Sequence, residues 1–237
     1  MSIIIPGYNE ERRVETSLRC LVQFCSETFP RYEILFVDDG STDRTWEMIK
    51  NLRHPRIRPL RFPRNLGKGA AVKAGMLEAR GEHRFFTDAD LPYDLSAFPS
   101  AMAEFRNGTC QVVAGSRDLP GSTDRVGAGR SRKAASRIFS TLTGLALGTD
   151  IGDSQCGFKG FTAPAAHALF SRSRIQGYAF DVEILVLARI LHLPVCRIPV
   201  SLVKDYYSKI HLPVDGLRMI VDLLRIYLRQ RTVGSRE

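Results

Sequence analysis

The sequence predicts an α/β domain with a mainly parallel central sheet flanked by helices. Short apolar segments alternate with helical segments along the first half of the chain, a pattern typical of parallel strands connected through helices. Polar residues follow directly after several apolar segments, and open α/β sheets bind their ligands beyond the carboxyl ends of their strands. A chain of 237 residues is also long enough to bury a sizeable core.

Each element is predicted from its local pattern. Short runs rich in apolar, β-branched and aromatic residues predict strands at 2–5, 33–37, 57–62, 83–90, 110–116 and 195–203. Longer periodic segments predict helices at about 10–26, 43–52, 67–80, 95–107, 129–147, 163–171 and 177–191. A final amphipathic helix is expected to begin after Pro213.

Composition limits the class of partner. The formal charge of +9 indicates an anionic partner: nucleic acid, a phosphorylated small molecule or a membrane surface. The aromatic residues are not interleaved with basic ones as a single-strand platform requires, so we expect no nucleic-acid partner. Five scattered cysteines without CxxC spacing argue against a disulfide framework or a zinc site and indicate a reducing compartment. No segment approaches the ~18 apolar residues of a transmembrane helix, and no signal peptide is recognisable.

The segment "EILFVDDGSTDRTW" ends an apolar strand in two adjacent acids, Asp38 and Asp39. One interpretation is that Ser41 or Asp43 caps the next helix and that the acids are solvated. The other is that a carboxylate at the strand end accepts hydrogen bonds from a ribose or a base. The pattern alone leaves both open.

The segment "FFTDADLP" places Asp88 and Asp90 on either side of one small residue at another strand end. Mg²⁺ and Mn²⁺ prefer oxygen ligands and usually share their coordination with a substrate phosphate. This position therefore predicts a metal–diphosphate site. The nearby "NLGKGAAVKAG" lacks the GxxxxGK[ST] pattern of a P-loop, and we interpret it as a glycine-rich helix start packed closely against the sheet.

Basic residues follow in the second half. Arg117 comes after a predicted strand, and its guanidinium can bind a phosphate through two N–H groups. Arg132 and Ser136 lie four residues apart on the predicted helix. Arg132 lies on the apolar side of this helix, so its charge requires a partner. A different face of this helix suits solvent or anionic lipid headgroups: Arg130, Lys133 and Arg137.

These motifs together carry a family resemblance. "SIIIPGYNE", "ILFVDDGSTDRT", "NLGKGAAVKAG", "FFTDADLP" and "AGSR" resemble, in order and spacing, the family 2 glycosyltransferases of the GT-A (nucleotide-diphospho-sugar transferase) fold. "RKAAS", "DSQCGFKGF", "GYAFDVEIL" and the late "SK…LP" segment are similar to the dolichyl- or polyprenyl-phosphate glucosyltransferase branch, near dolichyl-phosphate mannose synthase. The resemblance extends from Ser2 to about Arg229.

The resemblance implies roles for individual residues. The nucleotide-sugar pocket would be formed by Pro6, Tyr8, Glu10, Val37, Asp39, Lys68, Asp88, Ala89, Asp90 and Lys209. In it, Asp39 would bind the nucleoside while Asp38 supports the turn. Asp88 and Asp90 would hold Mg²⁺ or Mn²⁺ with the diphosphate, and Lys209 would belong to a loop that closes over it. The acceptor phosphate would be held by Arg117, Arg132 and Ser136.

The implied activity is the inverting, metal-dependent transfer of a hexose, with glucose expected, from a UDP-sugar to a polyprenyl or dolichyl phosphate. Alternatives are GDP-mannose or another donor, a soluble or polymeric hydroxyl acceptor with Asp181 as the base, and a nucleotide-sugar-binding module without catalysis. The pattern at Asp181 alone leaves open a second interpretation, in which it only caps a helix. With four other polar residues it is a candidate for sugar hydroxyls or for a salt-bridged scaffold: Asp153, Gln155, Lys159 and Glu183.

We expect one glycosyltransferase domain over 1–237. Residues 1–118 would form its nucleotide-sugar-binding half, 119–212 its acceptor-binding half and 213–237 its amphipathic C-terminal helix. That helix has an apolar side, formed by Leu217, Ile220, Val221, Leu224 and Leu228, and a side with Arg218, Asp222, Arg225 and Arg229. It is predicted either to pack on the core or to lie at a membrane surface. The second alternative implies a cytoplasmic protein peripherally associated with the cytoplasmic face of a membrane.

Overall fold

The computed structural model describes residues 1–124, 153–204 and 212–234, with the side chains of the last helix described over 218–229. The predicted helix at 129–147, with Arg132 and Ser136, lies outside the described residues. So does Lys209.

Within the described ranges the strands form one seven-stranded sheet. They are β1 (Ser2–Gly7), β2 (Glu33–Asp38), β3 (Ile57–Arg61), β4 (His83–Thr87), β5 (Val112–Ser116), β6 (Phe158–Thr162) and β7 (Val195–Pro199). Their order across the sheet is β3-β2-β1-β4-β6-β5-β7. The predicted α/β class with a mainly parallel sheet is confirmed, but β6 was not predicted.

The strand directions bring several strand ends to one edge. β1 pairs in parallel with β2 and β4, and β2 pairs in parallel with β3. β6 is antiparallel to both β4 and β5, and two reversals make β5 run in the same direction as β4. The carboxyl ends of β1, β2 and β4 therefore share an edge, as the sequence predicted, and the carboxyl end of β5 lies at the same edge.

Helices cover both faces of this sheet. They are α1 (Val14–Thr28), α2 (Thr45–Leu52), α3 (Lys68–Glu78), α4 (Ala97–Arg106), α5 (Ala163–Arg172), α6 (Phe180–Ile190) and α7 (Leu212–Gly234). Each lies within a few residues of its predicted position. The largest shift is at α1, which starts at Val14 rather than near residue 10.

Two predicted strands were too long. The one predicted at 83–90 ends at Thr87, so that the acids after it lie in a loop, and the one at 195–203 ends at Pro199.

Successive residues of the central strands point to opposite faces, and both faces are buried. Ile3 and Ile5 join the core layer under α1 and α4, while Ile4 joins the layer under α3, α5 and α6. Gly75 of α3 faces Ile4, and a Cβ on Gly75 would lie 2.5 Å from a methyl group of Ile4. The predicted close packing of this glycine-rich helix on the sheet is confirmed.

The final helix, α7, packs on the protein in an unexpected orientation. Ile226 is 4% exposed and, with the partly buried Leu223 and Tyr227, contacts the core layer that includes α6. The apolar side predicted from the sequence points outward instead: Ile220, Val221, Leu224 and Leu228. The alternative in which that side packs on the core is therefore wrong, because three neighbouring residues on another side do so.

Candidate active site

The loops that follow β1 and β2 are bound to each other. The backbone N–H of Asn9 donates to Ser41 Oγ at 2.9 Å, and Asn9 Oδ1 accepts from the N–H of Thr42 at 2.8 Å. The N–H of Glu10 donates to Thr45 Oγ1 at 2.7 Å. The side chain of Ser41 thus serves the neighbouring loop, and the prediction that it caps α2 is wrong.

The helix-capping interpretation holds only in part for Asp43. Its Oδ1 accepts from the N–H of Thr45 at 2.9 Å, so it does bind the first residue of α2. The residue at the N-cap position is Arg44, whose side chain makes no capping bond.

Asp38 and Asp39 are both buried, which excludes solvated acids. Asp38 Oδ1 accepts from the N–H of Ser41 at 3.2 Å, and Oδ2 lies 3.1 Å from Arg61 Nε, so Asp38 supports the turn as predicted. The two oxygens of Asp39 accept from the N–H groups of Leu66 and Gly67 at 2.7 and 2.9 Å. Burial raises the pKa of Asp39 above its ordinary value. Asp39 therefore holds the start of α3, and nucleoside binding stays a prediction.

The aspartates after β4 lie among charged residues from other elements. Lys68, the first residue of α3, places its Nζ 2.6 Å from Asp88 Oδ1. Burial opposes the charge of Lys68, but the carboxylates of Asp88 and Asp181 outweigh it and raise the pKa of the ammonium. Arg13 lies 2.6 Å from Glu10 Oε2 and 3.8 Å from Asp90 Oδ2. Arg13 thus connects the loop after β1 to the loop after β4.

The oxygens of Asp88 and Asp90 fit a hard divalent cation. Burial and the neighbouring charge of Asp88 raise the pKa of Asp90 to about 6. A carboxylate whose charge is so disfavoured would be stabilised by a cation, and oxygen donors are what Mg²⁺ and Mn²⁺ prefer.

Gly157 lies directly against Asp88. A Cβ at this position would be 2.2 Å from Asp88 Oδ2. The N–H of Gly157 also donates to the buried hydroxyl of Tyr93 at 3.4 Å. The "QCGF" motif therefore supplies a turn without a side chain where the backbone approaches the carboxylate.

Arg117 extends from the end of β5 and binds Asp153. Its Nε and Nη2 donate to Asp153 Oδ2 and Oδ1 at 2.6 and 2.7 Å, and its backbone N–H donates to Oδ2 at 3.1 Å. These hydrogen bonds raise the pKa of Arg117. Asp153 is therefore a partner that fixes the orientation of the arginine.

Asp181 lies in the first turn of α6 but does not cap it. The N-cap residue is Ala179, and the helix has no side-chain cap. Asp181 Oδ1 accepts from Lys159 Nζ at 2.5 Å, and both side chains are buried. Glu183 accepts from the N–H groups of Arg174 and Ile175 at 2.9 and 2.8 Å. The capping alternative is wrong, and both acids bind structural partners.

The remaining predicted pocket residues lie at the same edge. Pro6 and Val37 are neighbours in the β1–β2 register and are buried. Ala89 is buried between the two aspartates, whereas Tyr8 is 37% exposed. The structure therefore brings the described part of the predicted nucleotide-sugar set together at one edge.

A separate group of potential ligands lies at the opposite edge. Oxygen or sulfur atoms of Glu104, Cys110 and Cys196 lie within 4.8 Å of one another. Cys110 precedes β5 and Cys196 is the second residue of β7, so the group is at the amino ends of these strands. It does not belong to the site around Asp88.

Sequence reasoning missed three contributors to the site: Arg13, Tyr93 and Gly157. The arginine is one of two in "ERRVE", and its neighbours in sequence gave no reason to prefer it. The glycine had a usable signal, since an isolated glycine beside an apolar run indicates close backbone approach.

Comparisons with known proteins identify the family of this chain. Residues 2–170 match the family model Glycosyl transferase family 2. A dolichyl-phosphate β-glucosyltransferase of Trichomonas vaginalis is 34% identical over 95% of this chain and 70% of its own length. The enzymes of that name from Saccharomyces cerevisiae and Homo sapiens are 33% and 30% identical, over 95% and 98% of this chain and 73% and 76% of their own lengths.

Solved structures show the same fold. Glucosyl-3-phosphoglycerate synthase from Mycobacterium tuberculosis in complex with UDP superposes with a TM-score of 0.70 at 19% identity, over 98% of this chain and 79% of that one. Its complex with Mn²⁺, UDP-glucose and phosphoglyceric acid also gives 0.70, at 18% identity and the same coverage. The chain therefore belongs to glycosyl transferase family 2, as a glycosyltransferase of the GT-A fold in the branch of the dolichyl-phosphate β-glucosyltransferases.

Proposed function

We propose that this protein transfers glucose from UDP-glucose to a polyprenyl phosphate with inversion at the anomeric carbon. The observation that carries the proposal is that the acids after β4 and Arg117 after β5 meet at one sheet edge. Such a site combines a place for a metal-bound diphosphate with a cation for an acceptor phosphate. Relatives named for glucosyl transfer to dolichyl phosphate, at 30–34% identity, support the acceptor and the sugar.

The donor would lie over the ends of β1, β2 and β4. Pro6, Tyr8, Val37 and Asp39 would line the nucleoside site. Asp88 and Asp90 would hold Mg²⁺ or Mn²⁺, which neutralises negative charge on a leaving diphosphate when bound. The structural neighbour crystallised with Mn²⁺ and UDP-glucose supports this donor and this class of metal. Lys68, next to Asp88, adds positive charge near the diphosphate.

The acceptor phosphate needs no general base because it is already anionic near neutral pH. The task of the protein is to aim this nucleophile and to stabilise the departing charge. Arg117, held by Asp153, contributes one cation, and we propose Arg132 and Ser136 as its companions. One in-line displacement gives a β-linked product from an α-linked donor. The alternative in which Asp181 deprotonates an acceptor hydroxyl is disfavoured, because its carboxylate is buried against Lys159.

A lipid acceptor requires access to a membrane, and α7 offers a surface for it. Ile220, Leu224 and Leu228 are 56%, 57% and 63% exposed, and Arg225 is exposed beside them. Apolar side chains next to arginines are suited to the boundary of an anionic membrane. None of the helices in the described ranges has the length and hydropathy needed to cross a membrane. We place the protein peripherally on a cytoplasmic face, which its free cysteines favour.

Transfer of radiolabelled glucose from UDP-glucose to a short polyprenyl phosphate tests the proposal. We expect a lipid product that requires Mg²⁺ or Mn²⁺. Its rate should fall by about 100-fold in Arg117→Ala, Arg132→Ala and Asp90→Asn, since each removes one charge from the transition-state environment. Binding of UDP without transfer to the lipid would contradict the acceptor. Transfer from GDP-mannose in preference to UDP-glucose would contradict the donor.

A further inference from the structure

Lys159 is a charged residue in the middle of the sheet. It lies on β6, where it pairs with Phe86 of β4 on one side and with Ala114 of β5 on the other, and its exposure is 0%. Burying an ammonium group is costly even when it is paired, and apolar residues of similar volume are often as stable or more stable. Stability alone therefore gives no reason for a lysine here.

The ammonium of Lys159 contacts a carboxylate, a carbonyl and an aromatic ring. Asp181 Oδ1 is 2.5 Å from Nζ, and the carbonyl oxygen of Cys156 is 2.8 Å away. The ring centroid of Phe86 lies 5.5 Å from Nζ. These partners belong to α6, to the turn before β6 and to β4, so Lys159 joins three elements that adjoin the candidate active site.

The first connection to the site passes through the turn. Cys156, whose carbonyl Lys159 holds, directly precedes Gly157, the residue whose backbone approaches Asp88. A movement of this turn by a few tenths of an ångström would press on the Asp88 carboxylate or leave a gap beside it. The bond from Lys159 therefore fixes one side of Asp88.

The second connection passes through Lys68. The carboxylates of Asp88 and Asp181 both act on the ammonium of Lys68, which lies 2.6 Å from Asp88 Oδ1. Charges thus alternate in the order Asp88, Lys68, Asp181 and Lys159. Because Lys159 neutralises part of the charge of Asp181, it would weaken the attraction of Asp181 for Lys68 and so favour the contact of Lys68 with Asp88.

We propose that Lys159, with Asp181, is a positioning residue of the donor site, which holds Asp88 from two sides in the arrangement that binds a divalent cation with a nucleoside diphosphate. Lys159 touches neither ligand and acts through the turn at Gly157 and through Lys68. The inference rests on the proposed function to the extent that Asp88 and Asp90 bind the metal–diphosphate group.

The test measures binding, without transfer. Mn²⁺ affinity in the presence of UDP is determined by calorimetry and by the paramagnetic signal of free Mn²⁺, and the melting temperature is measured on the same samples. The variant Lys159→Met/Asp181→Val replaces the whole ion pair by apolar groups, which avoids leaving one buried charge alone. We expect its melting temperature to stay close to that of the wild type and its affinity for Mn²⁺ with UDP to fall by about 10- to 100-fold, as for other residues that orient metal ligands.

A matched control replaces an ion pair at the other edge of the sheet. Arg58 lies in β3 and Glu33 begins β2; their side chains are partly buried and 2.7 Å apart. Glu33→Gln/Arg58→Met should change stability while leaving Mn²⁺ affinity as in the wild type. If the Lys159 double variant does not fold, Lys159→Gln/Asp181→Asn, which removes both charges and keeps polar side chains of similar size, carries the same expectation of weaker binding.

Unchanged affinity in a folded variant would overturn the inference and leave the pair as a structural one. The outcome is separable from that of the proposed function. A wild-type protein that binds Mn²⁺ with UDP but transfers no glucose to a polyprenyl phosphate would refute the acceptor alone. A wild-type protein that binds neither would refute the donor site and this inference with it.

Discussion

Arg117 binds both carboxylate oxygens of Asp153 through two side-chain nitrogens, at 2.6 and 2.7 Å. This paired geometry fixes the plane of the guanidinium before any acceptor arrives. It also partly neutralises a cation that would otherwise attract any phosphate. Asp153 therefore orients the guanidinium of Arg117 and at the same time weakens its attraction for anions in general.

Asp153→Ala should impair use of the acceptor and spare the donor. Without its carboxylate partner Arg117 loses its fixed direction, and misplacement by about 1 Å can cost on the order of 100-fold in rate. We expect kcat/KM for the polyprenyl phosphate to fall by about that factor while the Kd of UDP stays within twofold. Steady-state transfer with varied acceptor, together with UDP calorimetry, checks this. An equal loss of UDP affinity would refute the assignment of this pair to the acceptor.

Gly157→Ala should weaken the metal–diphosphate site without unfolding the protein. The added Cβ would meet Asp88 Oδ2 at 2.2 Å, so the carboxylate or the turn has to move. We expect Mn²⁺ affinity in the presence of UDP to fall by about 10-fold or more. Gly108→Asn is the control, because φ is +69° there, asparagine tolerates that conformation, and no atom lies within 4 Å of the new Cβ. Equal Mn²⁺ affinity in Gly157→Ala and Gly108→Asn would contradict a role for the close approach of Gly157 to Asp88.

Membrane binding should depend on the outward side of α7. Burying one leucine side chain contributes roughly 1.5–3 kcal/mol, so Leu224→Ser/Leu228→Ser should reduce binding to anionic vesicles by well over 10-fold. Vesicle co-sedimentation measures this. Leu77→Ser, at a 38% exposed leucine near the end of α3, should bind as the wild type does. Equal binding by all three proteins would exclude α7 as the contact surface.

Glu33 should contribute stability that depends on pH. Burial alone would raise its pKa, but bonds from Ser2, Arg58 and the backbone of Arg80 outweigh burial and lower the pKa from 4.5. A lowered pKa in the folded state means that the contribution is present above pH 4.5 and is lost as the pH falls through the folded value. Glu33→Gln should therefore lower the free energy of unfolding by about 1–3 kcal/mol at pH 7. Urea titrations at pH 7 and pH 3 should show this difference shrinking at pH 3.

The alternation of strands and helices could be predicted because the spacing of apolar residues within each segment differs between strands and helices. β6 was missed because its sequence, "FKGFT", contains a glycine and a lysine, which are both depleted in strands. Its position between β4 and β5 is also non-local, and no local pattern specifies it. The sequence also suggests that a lysine such as Lys159 is exposed, because its buried partner, Asp181, lies in a different element.

The grouping of the candidate site residues could be predicted where polar side chains directly follow a predicted strand. Asp88 and Asp90 were placed at this edge from position and residue type alone, and their role as metal ligands stays a prediction. The partners of Asp181 and Arg117 could not be predicted, because each pair joins residues 22 or more positions apart. In α7 the sequence offered an apolar stripe but no information on which side meets the protein, since Ile226 and Tyr227 were not part of that stripe.

The loops after β1 and β2 are hydrogen-bonded to each other, so neither loop of the proposed donor site can be replaced without the other. The backbone N–H groups of Asn9, Glu10 and Thr42 each donate to a side-chain oxygen of the other loop. Replacing residues 41–45 alone by those of another family member would remove the side-chain oxygens of Ser41 and Thr45 that accept from the N–H groups of Asn9 and Glu10. Each partly buried N–H left without an acceptor would cost about 1–3 kcal/mol. Redesign of this part of the enzyme therefore calls for exchanging the two segments 8–11 and 41–45 together.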